Sequence, residues 1–231
     1  SEQLASVGRL SAGLAHEIGN PIAAILGFEE ILLAGGLDDA EQKDFVLRMK
    51  RETERIHRIL RDLLDFARPA TSMHEAGSVD TPGSIEHAVD TARALLGPQK
   101  AMRDVEIHLD VAPDLPLVTL SEEHLVQVLL NLILNAADAV APAAGRIDIR
   151  AARTSEGVRV EIEDNGPGVA REVRDRLFEP FTTTKEVGKG TGLGLAVCRG
   201  LLEGAGGTIT HEDGAVGARF VFTLPVATST K

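Results

Sequence analysis

A chain of 231 residues, 43% of them hydrophobic, has the apolar material for a packed core in one large domain or two smaller ones, which excludes wholesale disorder. A formal net charge of −11, with no Trp or Tyr, excludes nucleic-acid binding through a basic face or an aromatic stacking platform. Neither a leader-like pattern nor an apolar run of about eighteen residues is read in this segment, which is therefore expected to make no membrane contact and to work in the cytoplasm, whether its parent protein is soluble or membrane-anchored. There the single cysteine, Cys198, reads as a small core residue on a helix.

Two long helical patterns come first. Leu4, Val7, Ser11, Leu14, Ile18, Pro21, Ile25, Phe28 and Leu32 recur in steps of three and four, a heptad seam with two interruptions. Ala34-Gly35-Gly36 ends that helix, and a second seam follows through Phe45, Met49, Glu52, Ile56, Ile59, Leu63 and Phe66. Each helix spans roughly 40–45 Å at about 1.5 Å per residue. A lone hairpin of that length leaves apolar surface in water, which predicts a homodimer closed as a four-helix bundle; the alternative, a hairpin packed onto its own C-terminal domain, fits a 3.5-residue repeat less well. The repeat is already in register at Leu4, which predicts a further region upstream of Ser1.

Residues 68–78 are mixed and polar and read as a linker. Beyond it, helical stretches near 82–97 and 121–140 alternate with strand-like runs: VEIHLDV, RIDIRAA, VRVEIEDNG, GTITHED and ARFVFTLP. That alternation predicts an α/β sandwich, helices on one face of a mixed sheet, and an α+β class for the whole chain. The expected division is 1–68 for the helical hairpin, 69–78 for the linker and 79–228 for the α/β domain.

Several residues carry chemistry. His16 falls at the heptad position opposite the seam, with Asn20 four residues on along the same face. An exposed histidine is usually a solvated side chain, but Glu17 beside it can take the proton of one ring nitrogen and leave the other free to attack an electrophile. Pro21 cannot donate to the carbonyl of Glu17, which loosens the backbone there; a plain packing kink is compatible with the same residue. Asn131 and Asn135 sit one turn apart inside the apolar stretch LLNLILNA, where ligands for a hard cation or phosphate oxygens explain them better than solvation. A Ser-x-x-His cap region, from Ser121, starts that helix. In EIEDNGPGV, Asp164 ends a strand and can accept from an exocyclic amine, while Gly166 and Gly168 let a flat ring approach the backbone. GKGTGLGLAV offers backbone N–H groups and a helix N-terminus to phosphates.

Taken together, these pieces resemble the catalytic core of a two-component sensor histidine kinase, in the branch of the nitrogen-regulatory kinases, over residues 4–226. HEIGNP resembles its H box, NLILNA its N box, DNGPGV its first glycine box, LFEPFTTTK its F box and GKGTGLGL its second glycine box, all in the family's order. The resemblance implies that His16 is phosphorylated by ATP, that Glu17 is the general base, and that Asn20 belongs to an E-x-x-N pattern linked to dephosphorylation of the partner. It implies Mg2+ on Asn135, phosphate contact at Asn131 and adenine reading by Asp164. Gly166 and Gly168 would line the nucleotide. Phe178 and Phe181 would belong to a lid, and Lys185, Lys189, Gly190, Thr191, Gly192, Leu193 and Gly194 would touch the nucleotide. The implied partner is the receiver domain of a response regulator, whose aspartate takes the phosphoryl group.

Two positions depart from the pattern. Asp138 stands where many members carry Lys or Arg, and Ala218 where many carry Thr, so a basic phosphate contact and a hydroxyl near the adenine are missing. Other readings are a gyrase- or chaperone-type ATPase on the same nucleotide fold, a nucleotide-binding scaffold without reaction, and a phosphatase acting on the partner. The ATPases place a glutamate one turn before the metal-binding asparagine to activate water; Asn131 stands there and cannot act as a base.

Overall fold

The computed structural model describes residues 2–67, 81–97, 99, 102–140, 144–185 and 191–228, with backbone alone for 2–17, 58 and 61–67. The predicted linker at 69–78 lies outside the described residues, as do Lys189 and Gly190. The chain divides into two compact units, one of Ser1–Ala67 with Pro180–Leu193, the other of Arg68–Glu179 with Gly194–Lys231.

In the first unit, helix α1 (Glu2–Ala34) runs through Pro21 unbroken, and α2 spans Asp39–Ala67. The turn between them follows from local chemistry. Gly35 and Gly36 take φ of 74° and 85°, a region L-residues avoid. Asp38 and Glu41 then form a reciprocal capping box: the Glu41 N–H donates to Asp38 Oδ1 at 2.8 Å, and the Asp38 N–H to Glu41 Oε2 at 2.9 Å. Phe28 meets Phe45 with ring centroids 5.7 Å apart, tying the helices together. The described seam positions split cleanly. Pro21 and Ile59 are buried, while Ile18, Ile25, Phe28 and Leu32 on α1 and Phe45, Met49 and Ile56 on α2 are half-buried. One step round, Ile22, Leu26 and Leu33 on α1 and Val46, Leu47 and Leu60 on α2 stay exposed, Leu33 by as much as 80%. The hairpin thus carries a second apolar stripe that its own fold does not cover.

The second unit is a mixed sheet with helices on one face. β2 (Val105–Val111), β4 (Gly145–Thr154), β5 (Gly157–Asp164), β7 (Ala218–Leu224) and β6 (Thr208–Asp213) lie in the order β2-β4-β5-β7-β6. β2 runs parallel to β4, and the other neighbours pair antiparallel. A short antiparallel pair, β1 (Pro82–Gly83) with β3 (Val118–Ser121), was not expected, because two residues give no readable period. Helices α3 (Ile85–Leu96), α4 (Glu122–Ala139) and α5 (Gly194–Gly204) complete the unit. Leu125, Val128, Leu129, Leu132 and Ile133 place one face of α4 in the core at helical spacing, each at most 1% exposed. Burying each such side chain stabilises by about 1.5–3 kcal/mol. On β5, Val158, Val160 and Ile162 point into that core, and the alternating Arg159, Glu161 and Glu163 occupy the other face.

Ser121 caps α4 differently from expectation. It occupies the N-cap position without a side-chain bond to the helix backbone, and its Oγ instead lies 2.8 Å from His124 Nδ1. The β4–β5 hairpin depends on Gly157, whose φ of +141° suits glycine alone and whose added Cβ would lie 2.0 Å from the Leu224 carbonyl oxygen. Gly157→Ala should therefore cost at least about 2 kcal/mol through strain and loss of β5–β7 pairing. Urea unfolding checks this, and a midpoint equal to that of the unaltered chain would contradict it.

Candidate functional site

Asp164 closes β5 and is only 5% exposed. Its Oδ1 accepts from the N–H of Gly166 at 2.8 Å and from the N–H of Ala218 at 3.3 Å, so both backbone donors fall on one carboxylate oxygen. Burial pushes its pKa above the ordinary carboxylate value, against the pull of those two N–H groups. A carboxylate held this way is costly unless its other oxygen serves a ligand.

The glycines around it are required by their neighbours. A Cβ on Gly166 would sit 2.8 Å from the Ala139 carbonyl oxygen and 2.9 Å from Asp164 Oδ1. A Cβ on Gly217 would come within 2.3 Å of the Asp164 carbonyl oxygen. Gly168 differs: its φ is +77°, and its surroundings are open, with no heavy atom nearer than 3.7 Å to an added Cβ. The contact between Gly166 and Ala139 brings the C-terminal end of α4 up to the Asp164 turn, one turn beyond Asn135.

Asn131 and Asn135 are both half-buried on α4. Asn131 Nδ2 donates to the carbonyl of Gly194, the first residue of α5, at 3.5 Å, which joins the middle of α4 to that helix N-terminus. Cys198 is fully buried between these helices, with Sγ 3.9 Å from the Val128 carbonyl, and its burial pushes the thiol up to about 12, so it is inert. Phe178 is half-buried and stands edge-on to Phe220, centroids 6.4 Å apart. The second unit thus collects Asn131, Asn135, Asp164, Gly166, Gly168, Phe178 and Gly194.

Phe181, Lys185, Thr191, Gly192 and Leu193 belong to the segment Pro180–Leu193 of the other unit. That segment is pinched at its base. The Phe181 N–H donates to the Gly192 carbonyl at 2.9 Å, both residues take positive φ (64° and 65°), and a Cβ on Gly192 would lie 2.5 Å from the Phe181 carbonyl carbon. Within the loop, the Lys185 N–H donates to Thr183 Oγ1 at 3.1 Å and the Leu193 N–H to Thr191 Oγ1 at 3.4 Å. Asn20 is exposed on α1, and Asp138 is exposed on α4. His16 and Glu17 lie on the α1 backbone, and their side chains fall outside the described residues.

Sequence reasoning missed the residues behind Asp164. Glu163 is 6% exposed and accepts from Arg150 Nη1 at 2.8 Å, from the Ala215 N–H at 2.8 Å and from Arg219 Nη2 at 3.1 Å. Burial alone would raise its pKa, but Arg150, the Ala215 N–H and Arg219 together hold it at about 2. Strand alternation puts Glu163 on the sheet's outer face, where a glutamate normally reads as solvated, and Ala215 of the turn that covers it lies 52 residues away, so no local signal marks it.

Residues 120–228 match the family described as histidine kinase-, DNA gyrase B-, and HSP90-like ATPase, and residues 6–72 match the His Kinase A (phospho-acceptor) domain. The chain is 36% identical over 227 residues to the sensor histidine kinase ZraS of Klebsiella oxytoca, covering 97% of this chain and 47% of that protein. It thus spans about half the length of the curated relatives it matches. Among solved structures it resembles full-length ShkA in complex with AMPPNP, with TM-score 0.65 and 30% identity over 95% of this chain and 46% of that one. It also resembles the histidine kinase ThkA in complex with the response regulator TrrA, with TM-score 0.75 and 25% identity over 100% of this chain and 65% of that one.

Proposed function

The chain belongs to the two-component sensor histidine kinases as a catalytic core, and on that premise we propose that it phosphorylates His16 from ATP and passes the phosphoryl group to a response regulator. The observation that carries this is one chain holding a phospho-acceptor segment at 6–72 and an ATPase fold at 120–228, with Asn131 one turn before Asn135. A water-activating glutamate is absent from that position, so the site favours transfer over hydrolysis.

The residues fit ATP. Asp164 presents a buried carboxylate whose backbone donors crowd one oxygen, which suits an adenine amine on the other. Asn131 and the N-terminus of α5 suit phosphate oxygens. Asn135 would hold Mg2+, which when bound neutralises phosphate charge. The His16 imidazole then attacks the γ-phosphorus: an N–P bond forms, the bond to the bridging oxygen breaks, ADP leaves, and Glu17 takes the ring proton. The phosphoryl group moves on to an aspartate of a receiver domain. The lid roles of Phe178, Phe181, Lys185 and residues 189–194 belong to the same proposal, as does the division into hairpin (1–68), linker (69–78) and ATP-binding domain (79–228).

The uncovered stripe of Ile22, Leu26, Leu33, Val46 and Leu60 supports a homodimer through the hairpin. Exposed Asn20 supports a second activity, dephosphorylation of the same regulator. Among the described residues no helix is long and apolar enough to cross a membrane.

Incubation with γ-labelled ATP and Mg2+ tests the reading. The protein should take up label that is acid-labile and base-stable, and should surrender it to an added receiver domain. Release of labelled inorganic phosphate without labelled protein would overturn it.

A further inference from the structure

We propose that Glu163 is a positioning residue for base recognition: it clamps the β6–β7 turn from the outer face of the sheet and thereby fixes the carboxylate of Asp164 on the inner face. The inference rests on the reading of Asp164 as the adenine acceptor.

The covalent arrangement makes the two carboxylates back-to-back. Successive residues of a strand point to opposite faces, so Glu163 and Asp164 share a peptide but not an environment. The same turn, Gly214–Gly217, touches both. On the outer side the Ala215 N–H donates to Glu163 Oε1 at 2.8 Å, and a Cβ added to Gly214 would come within 3.0 Å of that oxygen. Arg219, just past the turn, reaches the same Oε1 at 3.1 Å. The turn closes on itself through the Gly214 N–H and the Gly217 carbonyl at 3.0 Å.

On the inner side the turn delivers the Ala218 N–H to Asp164 Oδ1 at 3.3 Å. It also packs Gly217 so tightly that an added Cβ would lie 2.4 Å from that same Oδ1. A shift of the turn therefore has to shift or rotate the Asp164 carboxylate. With Oδ1 pinned by Gly166 and Ala218, the other oxygen has one direction left to it, and that direction is set in part by Glu163.

The chemistry makes the effect specific. A carboxylate oxygen attracts the 6-amino group of adenine and repels the 6-oxo group of hypoxanthine, so its placement governs the preference for ATP over inosine triphosphate. Arg150 supplies the control. It reaches Glu163 Oε2 at 2.8 Å from β4, and its ion-pair partners among the described residues, Glu161 and Glu163, both lie on β5.

Equilibrium binding of ATP and of inosine triphosphate, each with Mg2+, to the whole chain tests this. Glu163→Met, which is similar in length but leaves the Ala215 N–H without an acceptor, should lower the ATP preference roughly tenfold, the worth of one misplaced hydrogen bond, while Arg150→Met should keep the preference of the unaltered chain even where it lowers the melting temperature. Should Glu163→Met fold poorly, Glu163→Asp retains the charge but stands one methylene short of the Ala215 N–H, and should show the same loss. A folded Glu163→Met or Glu163→Asp chain with undiminished preference overturns the inference, as does an equal loss in Arg150→Met. Asp164→Asn separates the premise: if that chain keeps its preference for ATP, the adenine reading itself fails; if it loses the preference while both Glu163 variants retain it, only the clamp fails.

Discussion

His16→Gln is expected to abolish incorporation of label from γ-labelled ATP while leaving ATP binding within about twofold of the unaltered chain. The loss is total because the substitution removes the nucleophile itself; glutamine is similar in size and polar, but its amide nitrogen has no lone pair to offer phosphorus. A competing acceptor exists. The segment matched by the phospho-acceptor domain, 6–72, contains His57 as well as His16, and His57 is exposed on α2. What separates them is company: His16 is followed by Glu17, a carboxylate that can hold the proton of one ring nitrogen, whereas the residue after His57 is an arginine, which offers no proton acceptor. His57→Gln should accordingly keep full labelling. Label that survives in His16→Gln and disappears in His57→Gln would move the reaction to the second helix.

The features legible from residues alone are those in which local chemistry and periodicity agree. The extents of α4, β2, β5 and β7 follow from spacing to within a residue or two, and Gly35-Gly36 ends α1 because an L-residue resists that φ. Asp164 was readable because a strand that alternates apolar and charged residues ends on an acid before two glycines. Glu163, one residue earlier, carried the same side-chain class and was passed over, since a period of two sends it to the face that is usually wet. Its burial is a tertiary event: the β6–β7 turn folds over it, and contacts between residues 163 and 215 leave no trace in a local window. The hairpin shows a related gap. A heptad seam selects one line of residues, yet Ile22, Leu26 and Leu33 run beside it, and only the fold shows that the seam is half-buried within one chain and the neighbouring line is exposed.

Asp164→Asn should weaken ATP binding by about 2–4 kcal/mol, roughly 30- to 1,000-fold, without destabilising the free protein. The two halves of that expectation come from one geometry. Asparagine keeps a carbonyl oxygen where Oδ1 stands, so the N–H groups of Gly166 and Ala218 retain their acceptor. It places an NH2 where the second carboxylate oxygen was, and that donor faces the donor hydrogens of the adenine amine. The stability half follows from proton linkage. Burial raises the pKa of Asp164 in the folded chain above its ordinary 3.8. A raised carboxylate contributes stability that is fully present below that ordinary value and is lost as pH rises through the folded one. At neutral pH the buried charge is thus a cost to the ligand-free fold, and asparagine lifts that cost. Melting of the nucleotide-free chain should therefore give Asp164→Asn an equal or higher midpoint at pH 7, the advantage shrinking as pH falls through the raised value toward 3.8. Calorimetric titration with ATP gives the other half. A variant that binds ATP as the unaltered chain does, or one that melts far below it at pH 7, would show that this carboxylate is a structural acceptor and not the adenine contact.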